Sequence, residues 1–148
     1  MLLLSIQPRF ADAILAGTKT VELRRQVPRV APGDEVLVYS TIPTGAVIGL
    51  FTVEEVVKMP LRELWRRSGP VAGVSRGEFN AYFSGLETGV GIHIQRVRRF
   101  ESPVSLITLR NLWPGFHPPQ SFRYLDTSEV EALLQLTSKR RSNRLRAA

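Results

Sequence analysis

The chain has 148 residues, 43% of them hydrophobic, which fits one domain with a single core and leaves little room for a second. It contains no cysteine, which excludes disulfides and thiolate chemistry and favours a cytoplasmic location, and no apolar run approaches the roughly 20 residues that a membrane-spanning helix needs. The formal net charge of +7 favours a polyanionic partner.

The excess positive charge lies at the C-terminus. Residues 139–148 hold five of the twenty cations and no acid, whereas the other 138 residues carry 15 cations and 13 acids. We therefore predict a folded domain over residues 1–137 and a flexible basic tail over residues 138–148. Such a tail attracts polyanions without sequence preference and loses that attraction as salt rises. The alternative is a solubilising end with no dedicated partner.

In chain order, hydrophobic periodicity and turn residues predict short strands separated by turns and helices. The predicted elements are a strand at 2–6, a helix from Pro8 that Gly17 caps, strands at 19–25, 35–40 and 46–58, helices at 60–67 and 75–83, a strand at 88–99, a helical turn or short helix at 105–112, and a helix at 127–136. Gly49 inside a strand indicates a bulge or a close approach. This mixture predicts an α+β fold, a small barrel decorated by short helices.

Residues 17–24 (Gly-Thr-Lys-Thr-Val-Glu-Leu-Arg) carry three ionisable side chains within six positions. Successive strand side chains point to opposite faces, so Thr20, Glu22 and Arg24 should project together, while Lys19 at the strand mouth could lie on either side. A carboxylate between two cations stays ionised and holds both in place. We call Lys19, Glu22 and Arg24 the charged triad. The spacing alone also fits a solvated polar strand face.

The same octet resembles the Gly-x-Lys-x-x-Glu-x-Arg signature of the activating-signal-cointegrator homology (ASCH) domain. The similarity extends over residues 1–125 and includes Ile6-Gln7-Pro8, Phe10 to Gly17, Pro32 to Ser40 and Ala46 to Val53. It implies a PUA-like β-barrel with a few helices and a cleft near the signature that takes RNA or a modified nucleotide. Small amidohydrolases of this family act on acetylated cytidine and carry a threonine nucleophile where this chain has Glu22. A carboxylate there could act as a base but not as that nucleophile.

Tyr39 and Ser40 end the strand at 35–40. Val36 and Val38 should face the core, which places Tyr39 on the other face near the mouth of the barrel. There its ring could stack on a base. A tyrosine that only caps the barrel is the alternative.

Residues 118–125 (Pro-Pro-Gln-Ser-Phe-Arg-Tyr-Leu) combine two stiffening prolines with several polar groups. Gln120 could read a base edge, and Arg123 could hold a phosphate or stack on a base. The segment resembles a motif near the end of some ASCH-like chains, which implies that it returns to the barrel beside the charged triad. The alternative is a clamp in which Phe122 and Leu125 plug the barrel and Arg123 pairs with an acid.

The two histidines, His93 and His117, have no local cluster of carboxylates. We therefore expect no metal site and no cofactor. Arg96, Arg98 and Arg99 form a basic strand end that could meet phosphates, and a solvated edge is the alternative.

We expect a domain that binds nucleic acid or a modified nucleotide, with RNA as the first partner, DNA as the second, and no membrane. Its binding residues would be Lys19, Glu22, Arg24, Tyr39, Ser40, Gln120 and Arg123. The alternative is a hydrolase of RNA or of an acylated nucleoside, in which Lys19 stabilises developing negative charge and Glu22 is the general base. A protein-interaction module in transcriptional regulation is a third hypothesis.

Overall fold

The structure, a computed structural model, describes the backbone of residues 1–147 and the side chains of residues 1–137. The strands are β1 (Leu2–Ile6), β2 (Val21–Arg24), β3 (Glu35–Ser40), β4 (Ala46–Pro60), β5 (Thr88–Ser105) and β6 (Phe122–Tyr124). The helices are α1 (Pro8–Ala16), α2 (Leu61–Ser68), α3 (Arg76–Tyr82), α4 (Leu106–Leu112) and α5 (Thr127–Ala147), with a 3₁₀ turn at Gly69–Val71.

All six strands belong to one mixed sheet in the order β2-β5-β4-β3-β1-β6. Strands β1 and β3 are parallel, and the other neighbours are antiparallel. The sheet curls into a half-barrel with five helices, which confirms the predicted single-domain, PUA-like α+β fold. Strands β2 and β6 are the two free edges, so the gap between them is where the barrel fails to close.

Three apolar clusters hold the sheet and helices together. They cover both faces of the central strands of the sheet. In β1, Leu2 and Leu4 belong to the first cluster, with α1, while Leu3 between them belongs to the second. The second cluster lies under α4 and α5. The third packs α2 and α3 against β2, through residues that include Leu23 and Phe79. This packing fixes β2 and its polar side chains in position.

Gly49 lies where β4 and β5 change register. A Cβ atom at this position would overlap the carbonyl oxygen of Arg98, so the close approach predicted for this glycine is confirmed. At the other end of the described chain, α5 continues past its predicted end at Leu136 to Ala147. The predicted tail covers residues 138–148, whose side chains lie outside the described residues, so its flexibility stays a prediction.

Strand β5 also extends beyond the predicted boundary, to Ser105. The short strand β6 was not among the predicted elements, although residues 118–125 were expected to return to the barrel. Strand β6 does return, because it pairs with β1 through Leu2 to Leu4. Across residues 1–147, the helices include none that is long and apolar enough to cross a membrane.

Candidate functional site

A cleft of about 1030 Å³ opens at the gap between the two sheet edges. Its walls come from β2 and the residues just after it, the start of α1, the end of α3, and residues 118–121 before β6. The charged triad, Gln120 and Ser121 all line this cleft. The structure therefore brings together two segments that are about a hundred positions apart in the sequence.

The charged triad lies at the floor of the cleft and is buried. Lys19, Glu22 and Arg24 are 2%, 7% and 8% exposed. The Nε atom of Arg24 is 3.4 Å from Oε1 of Glu22, and Nζ of Lys19 is 3.9 Å from Oε2 of the same carboxylate. This burial rules out the alternative of a solvated strand face. Thr20 precedes the first residue of β2 and is exposed, outside the cleft lining.

Lys19 is held by two further contacts. Its ammonium group donates a hydrogen bond to the carbonyl oxygen of Ala72 and lies 5.1 Å from the centre of the Phe10 ring. Burial lowers the pKa of Lys19 below its ordinary value, Glu22 opposes that change, and the charges of Arg24 and Arg9 add to it. Lys19 therefore releases its proton more readily than an exposed lysine does.

Arg24 connects the two edges of the sheet. Its Nη2 donates to the carbonyl oxygen of Ser5 at 3.0 Å. Its Nη1 donates to the carbonyl oxygen and the hydroxyl of Ser121, at 3.4 and 3.3 Å. Since Ser121 directly precedes β6, this guanidinium bridges the gap that strand pairing leaves open.

Two buried polar atoms at the floor have no hydrogen-bond partner among the described residues: Oε2 of Glu22 and Nε of Arg24. Native proteins pair nearly all such atoms, because an unpaired one costs about 1–3 kcal/mol. One atom is an acceptor and the other a donor. The fold therefore leaves one acceptor and one donor of the charged triad without a hydrogen bond from the described part of the chain, although each stands in an ion pair.

Arg123 does not reach the cleft, so its predicted place in the site is wrong. Its Nη2 donates to Oε2 of Glu129 at 2.7 Å, and its guanidinium lies 5.2 and 5.9 Å from the ring centres of Phe116 and Trp113. In register, Arg123 pairs with Leu3, a residue of the second cluster on the far face of the sheet. We call Arg123, Glu129, Trp113 and Phe116 the clamp. The pairing of Arg123 with an acid agrees with that part of the alternative prediction for the segment.

Tyr39 and Ser40 are also wrongly assigned to the cleft. They are 1% and 0% exposed and do not line it. The reason is that β3 runs through the middle of the sheet, where both faces are covered by apolar clusters. No face of the Tyr39 ring is free to stack on a base.

The sequence prediction missed several residues of the cleft. Tyr82, at the end of α3, is 41% exposed, and Arg9 and Arg25 add two exposed cations to the lining. Arg9 forms an ion pair with Glu78 that links α1 to α3. The available signal was an aromatic residue outside the buried stripe of α3, but sequence alone does not say what that residue faces.

The structure gathers no metal-binding cluster of histidine, cysteine, aspartate or glutamate within the part of the chain that it describes. His93 instead lies with its Nε2 atom 3.3 Å from the hydroxyl of Ser68. The expectation of no metal and no cofactor stays a prediction.

Comparison with known proteins gives consistent results. The family model of the ASCH domain matches residues 4–103. An ASCH domain-containing ribonuclease from Zymomonas mobilis is 35% identical over 136 residues, which cover 92% of this chain and 91% of the relative. The crystal structure of ASCH from Zymomonas mobilis superposes with a TM-score of 0.87 at 33% identity, covering 91% of this chain and 94% of that one.

A more distant structure shares the fold. The human THYN1 protein in complex with DNA containing 5-methylcytosine matches with a TM-score of 0.56 at 14% identity, covering 92% of this chain and 96% of that chain.

Proposed function

This chain belongs to the ASCH domain family, and from that premise we propose that its cleft binds single-stranded nucleic acid, RNA in the first place. The observation that carries the proposal is the charged triad, gathered in the lining of a cleft with a cationic rim. A modified nucleotide is the smallest ligand that the same arrangement would accept.

The floor suits the edge of a base better than a phosphate. A phosphate there would face the carboxylate of Glu22, whereas a base can donate an amine hydrogen to that carboxylate and accept from the guanidinium of Arg24. Adenine, cytosine and guanine each carry a donor beside an acceptor on their pairing edges. At the rim, the exposed guanidinium groups of Arg9, which pairs with Glu78, and Arg25, which donates to the carbonyl oxygen of Tyr82, keep further N–H donors for the phosphates.

The test compares two lysine variants that each remove one positive charge. Lys19→Met removes the cation at the floor, and Lys58→Met removes an exposed one on β4, outside the cleft lining. Fluorescence anisotropy with a labelled single-stranded RNA should show about tenfold weaker binding for Lys19→Met, since bonds to charged groups contribute about 1.5–3 kcal/mol. Lys58→Met should bind like the wild type. Equal affinities for both variants would contradict the cleft proposal.

The basic tail needs its own control in that assay. A variant with glutamine at all five cations of residues 139–148 should lose affinity for every RNA sequence and show a smaller salt dependence. The ratio of the RNA affinities of wild type and Lys19→Met should stay the same in this background, because the cleft and the tail contribute independently to binding.

A second function, cleavage of RNA, is favoured by the name and close similarity of the Zymomonas mobilis relative. RNA carries its own nucleophile, the 2′-hydroxyl, so the absence of threonine at position 22 weighs against an amidohydrolase but not against a ribonuclease. In this alternative the scissile phosphate, not a base edge, lies at the floor, and we propose that Glu22 takes the 2′-hydroxyl proton as the oxygen attacks the adjacent phosphorus. The bond from phosphorus to the 5′-oxygen then breaks, and Lys19 gives that oxygen a proton.

This chemistry predicts a specific product. Mass spectrometry of a cleaved oligoribonucleotide should show a 2′,3′-cyclic phosphate on one fragment and a 5′-hydroxyl on the other. A substrate with one 2′-deoxynucleotide should resist cleavage at that position only. If the RNA stays intact after long incubation with excess protein, the cleavage proposal is wrong and only the binding proposal remains.

A further inference from the structure

Tyr82 stands apart from the other aromatic residues of the chain. It is 41% exposed, and it is the one exposed aromatic residue among the side chains that the structure describes. Its ring lines the cleft that holds the charged triad. Single exposed aromatic residues are common on protein surfaces, so what distinguishes Tyr82 is its place in the wall of the cleft beside the charged triad.

The ring is held in place rather than left mobile. The Tyr82 hydroxyl donates to the carbonyl oxygen of Leu23 at 3.2 Å, and the Tyr82 carbonyl oxygen accepts from Nη1 of Arg25 at 2.7 Å. Leu23 and Arg25 flank Arg24 in the chain, so both bonds fix Tyr82 relative to the charged triad. Its ring also contacts Phe83 edge-to-face, with centres 4.8 Å apart and planes at 72°.

The hydroxyl of Tyr82 also keeps its proton. Burial raises the pKa of Tyr82, with Arg24 opposing that change and Glu22 adding to it. A neutral phenol continues to donate to Leu23 over the whole physiological range of pH, so the anchoring bond is permanent.

We propose, resting on the function proposed above, that Tyr82 is the stacking platform for one unpaired base whose edge meets Glu22 and Arg24. A rigid aromatic ring next to a donor and an acceptor offers a base one face contact and one edge contact at once. In a duplex, both faces of a base are covered by its neighbours and its pairing edge is occupied. Tyr82 therefore makes the cleft specific for single-stranded over double-stranded RNA.

The experiment uses the full chain and a short single-stranded oligoribonucleotide that carries one 2-aminopurine, whose fluorescence falls when it stacks on an aromatic ring. Wild type should quench the probe on binding. Tyr82→Leu, which keeps apolar volume but removes the ring, should bind about tenfold more weakly and quench little. Tyr82→Phe keeps the ring but loses the hydrogen bond to Leu23, and should bind the oligoribonucleotide about threefold more weakly than wild type.

Tyr82→Trp separates stacking from a structural role. A larger ring should restore both affinity and quenching if position 82 stacks on a base, whereas a residue that only packs on Phe83 would be disturbed by tryptophan. In competition with the same sequence as a duplex, wild type should prefer the single strand, and Tyr82→Leu should lose most of that preference.

Two results would overturn the inference in distinguishable ways. If Lys19→Met weakens binding but Tyr82→Leu binds and quenches like wild type, the cleft proposal stands and the stacking role is wrong. If neither variant changes binding, the proposed function fails and the stacking role fails with it.

Discussion

The cleft and the clamp each place an arginine beside a glutamate, and they differ in how completely the polar atoms are bonded. In the clamp, Glu129 accepts from Arg123 through one oxygen and from the backbone N–H of Asp126 through the other. In the cleft, Glu22 and Arg24 approach to 3.4 Å, yet Oε2 of Glu22 and Nε of Arg24 form no hydrogen bond with the described residues.

Burial makes this difference informative. The side chains of Glu22 and Arg24 are 10% and 9% exposed, whereas those of Glu129 and Arg123 are 22% and 38% exposed. An unpaired polar atom costs more free energy where the side chain is more deeply buried. A pair that served only to stabilise the fold would be expected to be satisfied where burial is deepest. The clamp is a fully bonded pair, whereas the pair in the cleft keeps hydrogen-bonding capacity that the fold does not use, as Tyr39 and Ser40 in the core also do.

The largest predicted effect separates the two glutamates by activity. Glu22→Gln should slow RNA cleavage by roughly 10²-fold or more, the usual contribution of a general base. Glu129→Gln should leave the rate unchanged, because Glu129 lies outside the cleft lining. Initial rates on a fluorescent oligoribonucleotide measure both variants. Equal rates for Glu22→Gln and wild type would show that Glu22 is not the base.

The next effect separates the two arginines by stability. Arg24→Met leaves Glu22 buried with Lys19 alone and removes the bonds to Ser5 and Ser121, so we expect a loss of about 3–5 kcal/mol in the free energy of unfolding. Arg123→Met should cost about 1 kcal/mol or less, since its partially exposed pair is screened by solvent. Urea denaturation followed by circular dichroism measures both. A larger loss for Arg123→Met would reverse our assignment of the two pairs.

A third prediction concerns the pH dependence of stability. The pKa of Lys19 is lowered below its ordinary value of 10.5, chiefly by burial, so between these two values the unfolded state binds more protons than the folded state. Stability therefore rises with pH across that window, by at most about 1.4 kcal/mol per pH unit for one proton. Lys19→Met should remove this rise, and Arg123→Met should retain it.

The pH experiment compares wild type with Lys19→Met at each pH. Both proteins contain Tyr39 and Tyr82, whose raised pKa values act in the opposite direction at high pH. Their contribution cancels in the difference. A difference in unfolding free energy that stays constant across the window would contradict the lowered pKa of Lys19.

The smallest effect concerns the exposed ion pair between Arg9 and Glu78 at the cleft. Glu78→Gln frees the Arg9 guanidinium for a phosphate, so RNA binding should tighten by up to about fivefold, a small effect because exposed ion pairs are screened by solvent. Glutamine is also compatible with the capping box that Glu78 forms with Ser75. In an Arg9→Gln background, Glu78→Gln should give a smaller gain, since the guanidinium it would free is gone. An equal gain in both backgrounds would point to general charge repulsion.

Local features were predictable because they depend on neighbours in the chain. Gly17 caps α1 with a positive φ of 81°, and Ser75, the first residue of the predicted helix at 75–83, forms a capping box with Glu78. The alternation in residues 20–24 placed Glu22 and Arg24 together, since it depends only on the two-residue repeat of a strand.

The predictions failed for residues whose position depends on which face of the sheet opens into the cleft. Alternation shows that Phe122 and Arg123 point to opposite faces, but it does not say which face opens into the cleft. Tyr39 was placed at a barrel mouth because strand order was unknown, and β3 is in fact covered on both sides. Tyr82 was missed because its exposure is decided by the distance between α3 and β2.

The amino-acid sequence by itself determined the order of helices and strands apart from β6, the family, and the gathering of opposite charges on one short strand, because these depend on nearest neighbours and on residue type. Only the tertiary structure decided that Arg24 spans the gap between the two sheet edges, that Arg123 points away from the cleft, and that Tyr82 lies in the wall of the cleft. The curl of the sheet sets these distances, and that curl results from packing between segments that are far apart in the chain.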